Sequence, residues 1–198
     1  GLRAAAMLVE RGARRVLLAS RSGRVVRDGQ GLDAQLRSLG AAAEVVACDS
    51  ADPSDTSALM LGQCLAGVLH AAGMGDRGLL RDLVANRMHW LMAPKALGAW
   101  YLHCVEAATP LEFCVLFSSV GSGLGNVGQA NYALGNACLD AHARSRRAHG
   151  VAARTLQWPL VGGAGMGAIA FAAISERQIS LVGMAGITLE EYAAGLSA

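Results

Sequence analysis

Apolar positions recur along this chain in two rhythms that take turns. Residues 2–12, LRAAAMLVERG, carry apolar side chains at helical spacing and end on glycine, a common helix stop. RRVLLAS at 14–20 is then a continuous apolar run of strand length. The exchange continues with helix over 31–40, strand over 43–49, a short helix over 53–61 and strand over 66–73. A long helical stretch over 83–107, broken or bent at Pro94, precedes the buried strand EFCVLFSS at 112–119. Residues 129–149 read as helix, 152–158 as strand, and 188–196 as a helix with Thr188 as its N-cap. Strands alternating with helices make parallel βαβ units, so the expected fold is α/β, a doubly wound parallel sheet with helices on both faces. Such sheets hold ligands at the carboxyl ends of their strands.

Composition narrows the function classes. At 198 residues the expectation is one domain over 1–198, and 53% hydrophobic against 16% charged residues suits strands covered on both faces. A net charge of +2 gives no electrostatic case for nucleic acid; its densest group, Arg144, Arg146 and Arg147, reads as a solvated helix face. Five cysteines are an odd count without a C-x-x-C pair, so neither disulfides nor a metal site is expected, and a reducing, cytoplasmic setting is. Residues 158–175 are uncharged and of membrane length. They are dominated by glycine and alanine with Pro159 near the start, which reads as a lid or loop with a short helix, not a membrane segment.

Gly123, Gly125 and Gly128 spell G-x-G-x-x-G, but several residues separate them from the end of the preceding strand, and the strand after them ends in Gln157 and Trp158, with no acid for a ribose. They read as an active-site loop. The opening helix leads into RRVLLAS as the second half of a βαβ unit would, and on that expectation the first strand and most of the phosphate-binding glycines lie upstream of Gly1. At the end of that strand stands Ser20-Arg21-Ser22, where an NAD enzyme would carry an acid. Arginine there accommodates a 2′-phosphate and favours NADP, although a plain surface arginine is an equal reading.

Tyr132 and Asn136 are i and i+4 on one helix and share a face, and the glycine- and serine-rich loop before them brings Ser119 alongside. Lys95 lies in MAPKALGAW, at the bend of the preceding helix. Singly these are a core tyrosine, a loop serine and an exposed lysine. Together they suit ketone reduction, which needs a hydride from one side and a proton for the oxygen that becomes an alkoxide. A phenol with a pKa near ~10 gives up its proton readily only beside a cation. Ser119 would hold the carbonyl oxygen, and Asn136 would anchor a water that resupplies the proton.

With these residues in place, the chain resembles a ketoreductase domain of a modular (type I) polyketide synthase or an animal-type fatty acid synthase, within the short-chain dehydrogenase/reductase superfamily. The segments that carry the likeness are LLASRSG, VVACDSAD, GVLHAAGMGDRGLL, MAPKALGA, FCVLFSSVGSGLGNVGQANYALGNACLDAHARSRRAHG and GAGM. Ordinary members of the superfamily use Tyr-x-x-x-Lys; in this branch lysine and asparagine exchange places, as Tyr132, Asn136 and Lys95 do. The resemblance implies a Rossmann-like fold, with Tyr132 as proton donor, Ser119 as oxygen ligand, and Lys95 and Asn136 in support. It implies an NADPH site with Ser20 and Arg21 at the adenosine phosphate, Asp49 and Ser50 beside the adenine, and Ala71, Ala72 and Gly73 along the cofactor. The implied reaction reduces a β-ketoacyl thioester on an acyl carrier protein to the β-hydroxyacyl form, with neighbouring synthase domains in the same polypeptide. Two departures stand out: the stretch between Asp49 and His70 is short, and WPLVGGAGM replaces the usual Trp-Gly-Pro start of the lid. A stand-alone reductase of small ketones and a catalytically silent structural module are the alternatives.

Overall fold

The computed structural model describes residues 1–25, 31–75, 78–125, 127–163, 167–168 and 185–197. They gather into two compact units, one of Gly1–Cys48 with Pro159–Ala198 and the other of Asp49–Trp158.

In the first unit, α1 (Leu2–Glu10) buries Ala4, Ala5 and Met7, and Gly12 follows at φ 97, a conformation that a residue with a Cβ resists. Strand β1 (Val16–Ser20) pairs in parallel with β2 (Ala43–Ala47), Val16 opposite Ala43 and Ser20 opposite Ala47, with α2 (Leu32–Ser38) between them in the chain. The last helix, α8 (Leu189–Ser197), opens on the expected cap: Glu191 N–H donates to Thr188 Oγ1 at 3.2 Å, and Thr188 N–H donates to Glu191 Oε2 at 2.8 Å. The pair forms a capping box, which satisfies two otherwise orphaned donors. A parallel bridge from Val161 to Ile187 joins segments to which the sequence pattern assigned no pairing. Most of the lid read at 158–175 lies outside the described residues, and among those described no helix is long and apolar enough to cross a membrane.

The second unit is a three-stranded parallel sheet in the order β3-β4-β5: Gly67–His70, Phe113–Ser119 and Arg154–Trp158. Helix α3 (Pro53–Leu61) begins at Asp52, whose carboxylate accepts from Ser54 and Asp55 N–H, with Pro53 in the first turn where its missing N–H is harmless. The long stretch around Pro94 resolves into α4 (Ala85–Met92), a π-helical turn (Ala93–Leu97) and α5 (Gly98–Glu106). A short α6 (Gly121–Leu124) and the long α7 (Ala130–Ala148) complete the unit. Its core is Ala99, Cys114, Leu116, Leu139, Ala143 and Ala153, where α5 and α7 cover the sheet. Small residues on the helices let them lie close against the sheet.

The arginine run on α7 is not wholly a solvated face. Arg144 and Arg147 are exposed, but Arg146 is only 3% exposed. It pairs with buried Glu106 and donates to Ala152 O at 3.1 Å. Leu139, Ala143 and Arg146 fall on one stripe of the helix, so the arginine continues the core face, where a charge needs a partner.

Candidate active site

The proposed catalytic residues come from three elements of the second unit: the π turn, β4 and α7. β4 ends at Ser118 and Ser119, whose side chains leave the strand in opposite directions. Ser118 is buried and its hydroxyl donates to Asn136 O at 3.2 Å. Ser119 is partly exposed, and its hydroxyl accepts Gly121 N–H at 3.2 Å. Three residues further on, Ser122 Oγ donates to Asp140 Oδ2 at 2.7 Å. Ser119 is thus bracketed by two contacts that fasten its strand end and the following turn to α7.

On α7, Tyr132, Asn136 and Asp140 follow at intervals of four and occupy one face. Asn136 is fully buried; its Nδ2 donates to Tyr132 O at 2.8 Å, and its Oδ1 has no partner among the described residues. Lys95 reaches this face from the π turn. It is 4% exposed, its Nζ donates to Phe117 O at 3.2 Å, and the ammonium lies 5.7 Å from the centroid of the Tyr132 ring. Two glycines make room for it. A Cβ on Gly135 would sit 3.4 Å from Lys95 Cδ, and one on Gly73 would sit 3.0 Å from Lys95 Cε.

Burial lowers the Lys95 pKa from 10.5 to about 8, with the Asp140 carboxylate pulling it back up. The group therefore stays mostly charged at neutral pH, yet close to its titration. Asp140 is itself buried and also accepts from Gln157 Nε2 at 2.8 Å. Sequence reasoning passed over Asp140 and Ser118. The spacing of Asp140 from Tyr132 and Asn136 was the available signal, since a carboxylate repeating on the face of a buried asparagine needs a cation nearby.

The structure brings Lys95, Tyr132 and Asn136 together and sets Ser119 on the adjoining strand end. Ala71, Ala72 and Gly73 follow β3 at its carboxyl end, with Gly73 against Lys95. Gly78 N–H donates to Gly128 O at 2.9 Å, tying the segment after β3 to the loop before α7. The glycines of GLGNVG do not form a dinucleotide turn: a helical turn, α6, intervenes after β4, and Gly125 and Gly128 have φ of 73 and 70. Asp49 and Ser50 are partly exposed, and Asp49 Oδ1 accepts Ala51 N–H at 3.0 Å. A groove of about 370 Å³ lined by Ala96, Trp100, Cys138 and His142 opens on the opposite side of α7 from Tyr132 and takes no part in this site.

In the first unit, Ser20 closes β1, and its hydroxyl accepts Arg24 N–H at 3.2 Å. Arg21 beside it is exposed and has no ion-pair partner among the described residues.

Known proteins resemble this chain over most of its length. The KR domain family model matches residues 1–163. The chain is 46% identical over 155 residues to polyketide synthase GfsA of Streptomyces halstedii, covering 76% of this chain and 2% of that protein. It is 41% identical over 156 residues to erythronolide synthase EryA2 of Saccharopolyspora erythraea, covering 78% of this chain and 4% of that protein. Among solved structures it superposes on A-type ketoreductases from a modular polyketide synthase with a TM-score of 0.86 at 33% identity, over 100% of this chain and 42% of that one. The first ketoreductase of the tylosin synthase gives a TM-score of 0.80 at 33% identity, over 99% of this chain and 43% of that one. The chain thus spans a few per cent of the curated relatives and under half of the solved ones. With its α/β Rossmann-like fold, the chain belongs to the KR domain family, the ketoreductases of modular polyketide synthases.

Proposed function

We propose that residues 1–198 act as one ketoreductase domain that uses NADPH to reduce the β-ketone of an acyl thioester carried on an acyl carrier protein. The observation that carries this reading is the buried Lys95 ammonium over the Tyr132 ring, on the face of α7 that also bears Asn136. NADPH supplies the hydride. Two features suit the chain to that cofactor: Arg21 at the end of β1 is a cation without an ion-pair partner among the described residues, of the kind a 2′-phosphate needs, and the side-chain-free Gly73 keeps the end of β3 open beside Lys95. Ser20 and Arg21 would hold the phosphate, Asp49 and Ser50 the adenine, and Ala71, Ala72 and Gly73 the stretch between.

The side chains divide the remaining work. Tyr132 donates its hydroxyl proton to the ketone oxygen as the alkoxide forms, and the Lys95 ammonium stabilises the phenolate left behind. Ser119 donates a hydrogen bond to the same oxygen, where negative charge develops. The unpartnered Oδ1 of Asn136 is an acceptor for the water that returns a proton toward Tyr132. The relatives are large multidomain synthases, which supports a carrier protein and further synthase domains as partners; the free cysteines make the cytoplasm the proposed setting.

The test is direct. Full-length protein given NADPH and a β-ketoacyl thioester consumes NADPH and yields the β-hydroxyacyl product, and NADPH alone raises its melting temperature because a ligand that binds only the native state stabilises it. A full-length protein that shows neither effect is a silent module.

A further inference from the structure

We infer that His70 is a positioning residue for Lys95: from the end of β3 it locks the π-helical turn that presents the lysine to Tyr132. The inference rests on the reductase reading and names a residue to which that reading gives no role.

A π turn is rare and persists where something holds it, because its i→i+5 bonds displace backbone groups from the regular α ladder. This one contains Pro94, which contributes no N–H. His70 lies against it, 5% exposed, with the backbone of Pro94 and Lys95 close enough to its ring to favour its protonated form. Proline has only a carbonyl to offer, so the imidazole is the donor. Nε2 has no partner among the described residues, so Nδ1 is the nitrogen assigned to those carbonyls.

Neighbouring residues confine the ring. A Cβ on Gly98, the first residue after the turn, would lie 3.0 Å from His70 Cε1, 3.1 Å from Ser50 O and 3.3 Å from His70 Nε2, so a glycine there lets the ring and the Ser50 carbonyl sit flush. Gly73, three residues beyond His70, meets the lysine side chain itself. The end of β3 therefore grips residue 95 twice, its backbone through His70 and its stem through Gly73. Lysine carries a flexible four-carbon stem, and among the described residues Lys95 Nζ has one carbonyl acceptor, at Phe117, so the backbone anchor helps decide where the ammonium lands. Burial keeps the His70 pKa at about 4, and Lys95 and His142, the titratable groups that act on it, both oppose its protonation. It therefore stays neutral at working pH and brings no second cation to the lysine.

The experiment compares full-length wild type with His70→Leu, His70→Asn and Gly98→Ala. Two readouts are taken: labelling of Lys95 by an amine-reactive reagent, mapped by mass spectrometry, and the pH dependence of kcat. His70→Leu frees the turn, so Lys95 labels at least about tenfold faster and kcat falls by about a hundredfold, the effect of a misplacement near 1 Å. The KM for NADPH stays put, and the alkaline limb moves to higher pH as the lysine regains its ordinary basicity. His70→Asn keeps a donor for the carbonyl and restores most of both properties. Gly98→Ala keeps the histidine but crowds it, together with Ser50 O, and shifts both readouts in the same direction as His70→Leu; if His70→Leu does not fold, the recovery in His70→Asn set against Gly98→Ala carries the test. Wild-type labelling and kcat in His70→Leu or Gly98→Ala overturn the inference, as does an asparagine variant no better than leucine. A protein that never turns over sinks the reductase reading, while the labelling still decides the role of His70.

Discussion

Lys95 sets function against stability, and Lys95→Met exposes the conflict. Its pKa in the fold is about 8 against 10.5 in a solvated chain, a difference of about 2.5 units. At ~1.4 kcal/mol per unit, holding the ammonium in this site at neutral pH costs about 3 kcal/mol relative to water. Methionine matches the lysine stem without the charge. Its loss of the hydrogen bond to Phe117 O returns about 1 kcal/mol of the gain. The variant is expected to be more stable by about 2 kcal/mol, or roughly 4–8 °C in Tm for a chain of this length. It is expected to lose at least a hundredfold in kcat, the scale of an impaired proton donor. The pH dependence has a definite sign. Between about 8 and 10.5 the unfolded chain keeps a proton that the native state has released, so this group's contribution to stability rises with pH across that window and is flat below it. Activity runs the other way and falls above about pH 8. Thermal melts of both proteins from pH 7 to 10, with NADPH oxidation measured alongside, check the pair. A Lys95→Met protein that melts lower than wild type at pH 7 would refute the reasoning.

Two further perturbations test other parts of the account. Arg21→Ala is expected to raise the KM for NADPH by about tenfold to a hundredfold and to leave the KM for NADH nearly unchanged, as loss of a charge-assisted contact to a 2′-phosphate requires; equal effects on both cofactors in steady-state assays would place Arg21 elsewhere. Arg146→Ala strands the buried Glu106 carboxylate and is expected to cost about 3–5 kcal/mol by chemical denaturation. A change near zero would mean that the pair is solvated after all.

The order of helices and strands was legible because period and length alternate so plainly, and Tyr132 with Asn136 because i and i+4 is a local relation. Lys95 stood out as a lone cation among alanine, leucine and tryptophan. Its placement did not: apolar spacing cannot separate a π turn from an α-helix, and Pro94 marked only a break. Arg146 was misread because three arginines so close together look like one solvated face; the stripe it shares with Leu139 and Ala143 was the contrary signal. The Val161–Ile187 bridge pairs residues far apart in sequence, and no short-range pattern encodes such a partner. His70 was hidden for a related reason, since its role comes from a turn that only tertiary contact brings to it.

The central claim is that the Tyr132 hydroxyl hands its proton to a ketone. Tyr132→Phe removes one oxygen atom and little else, so single-turnover NADPH oxidation with a β-ketoacyl thioester is the most direct measurement. The account predicts a rate lower by about 10²–10⁴-fold with NADPH still bound, the range of a lost general acid. A phenylalanine variant that reduces the thioester at the wild-type rate contradicts it.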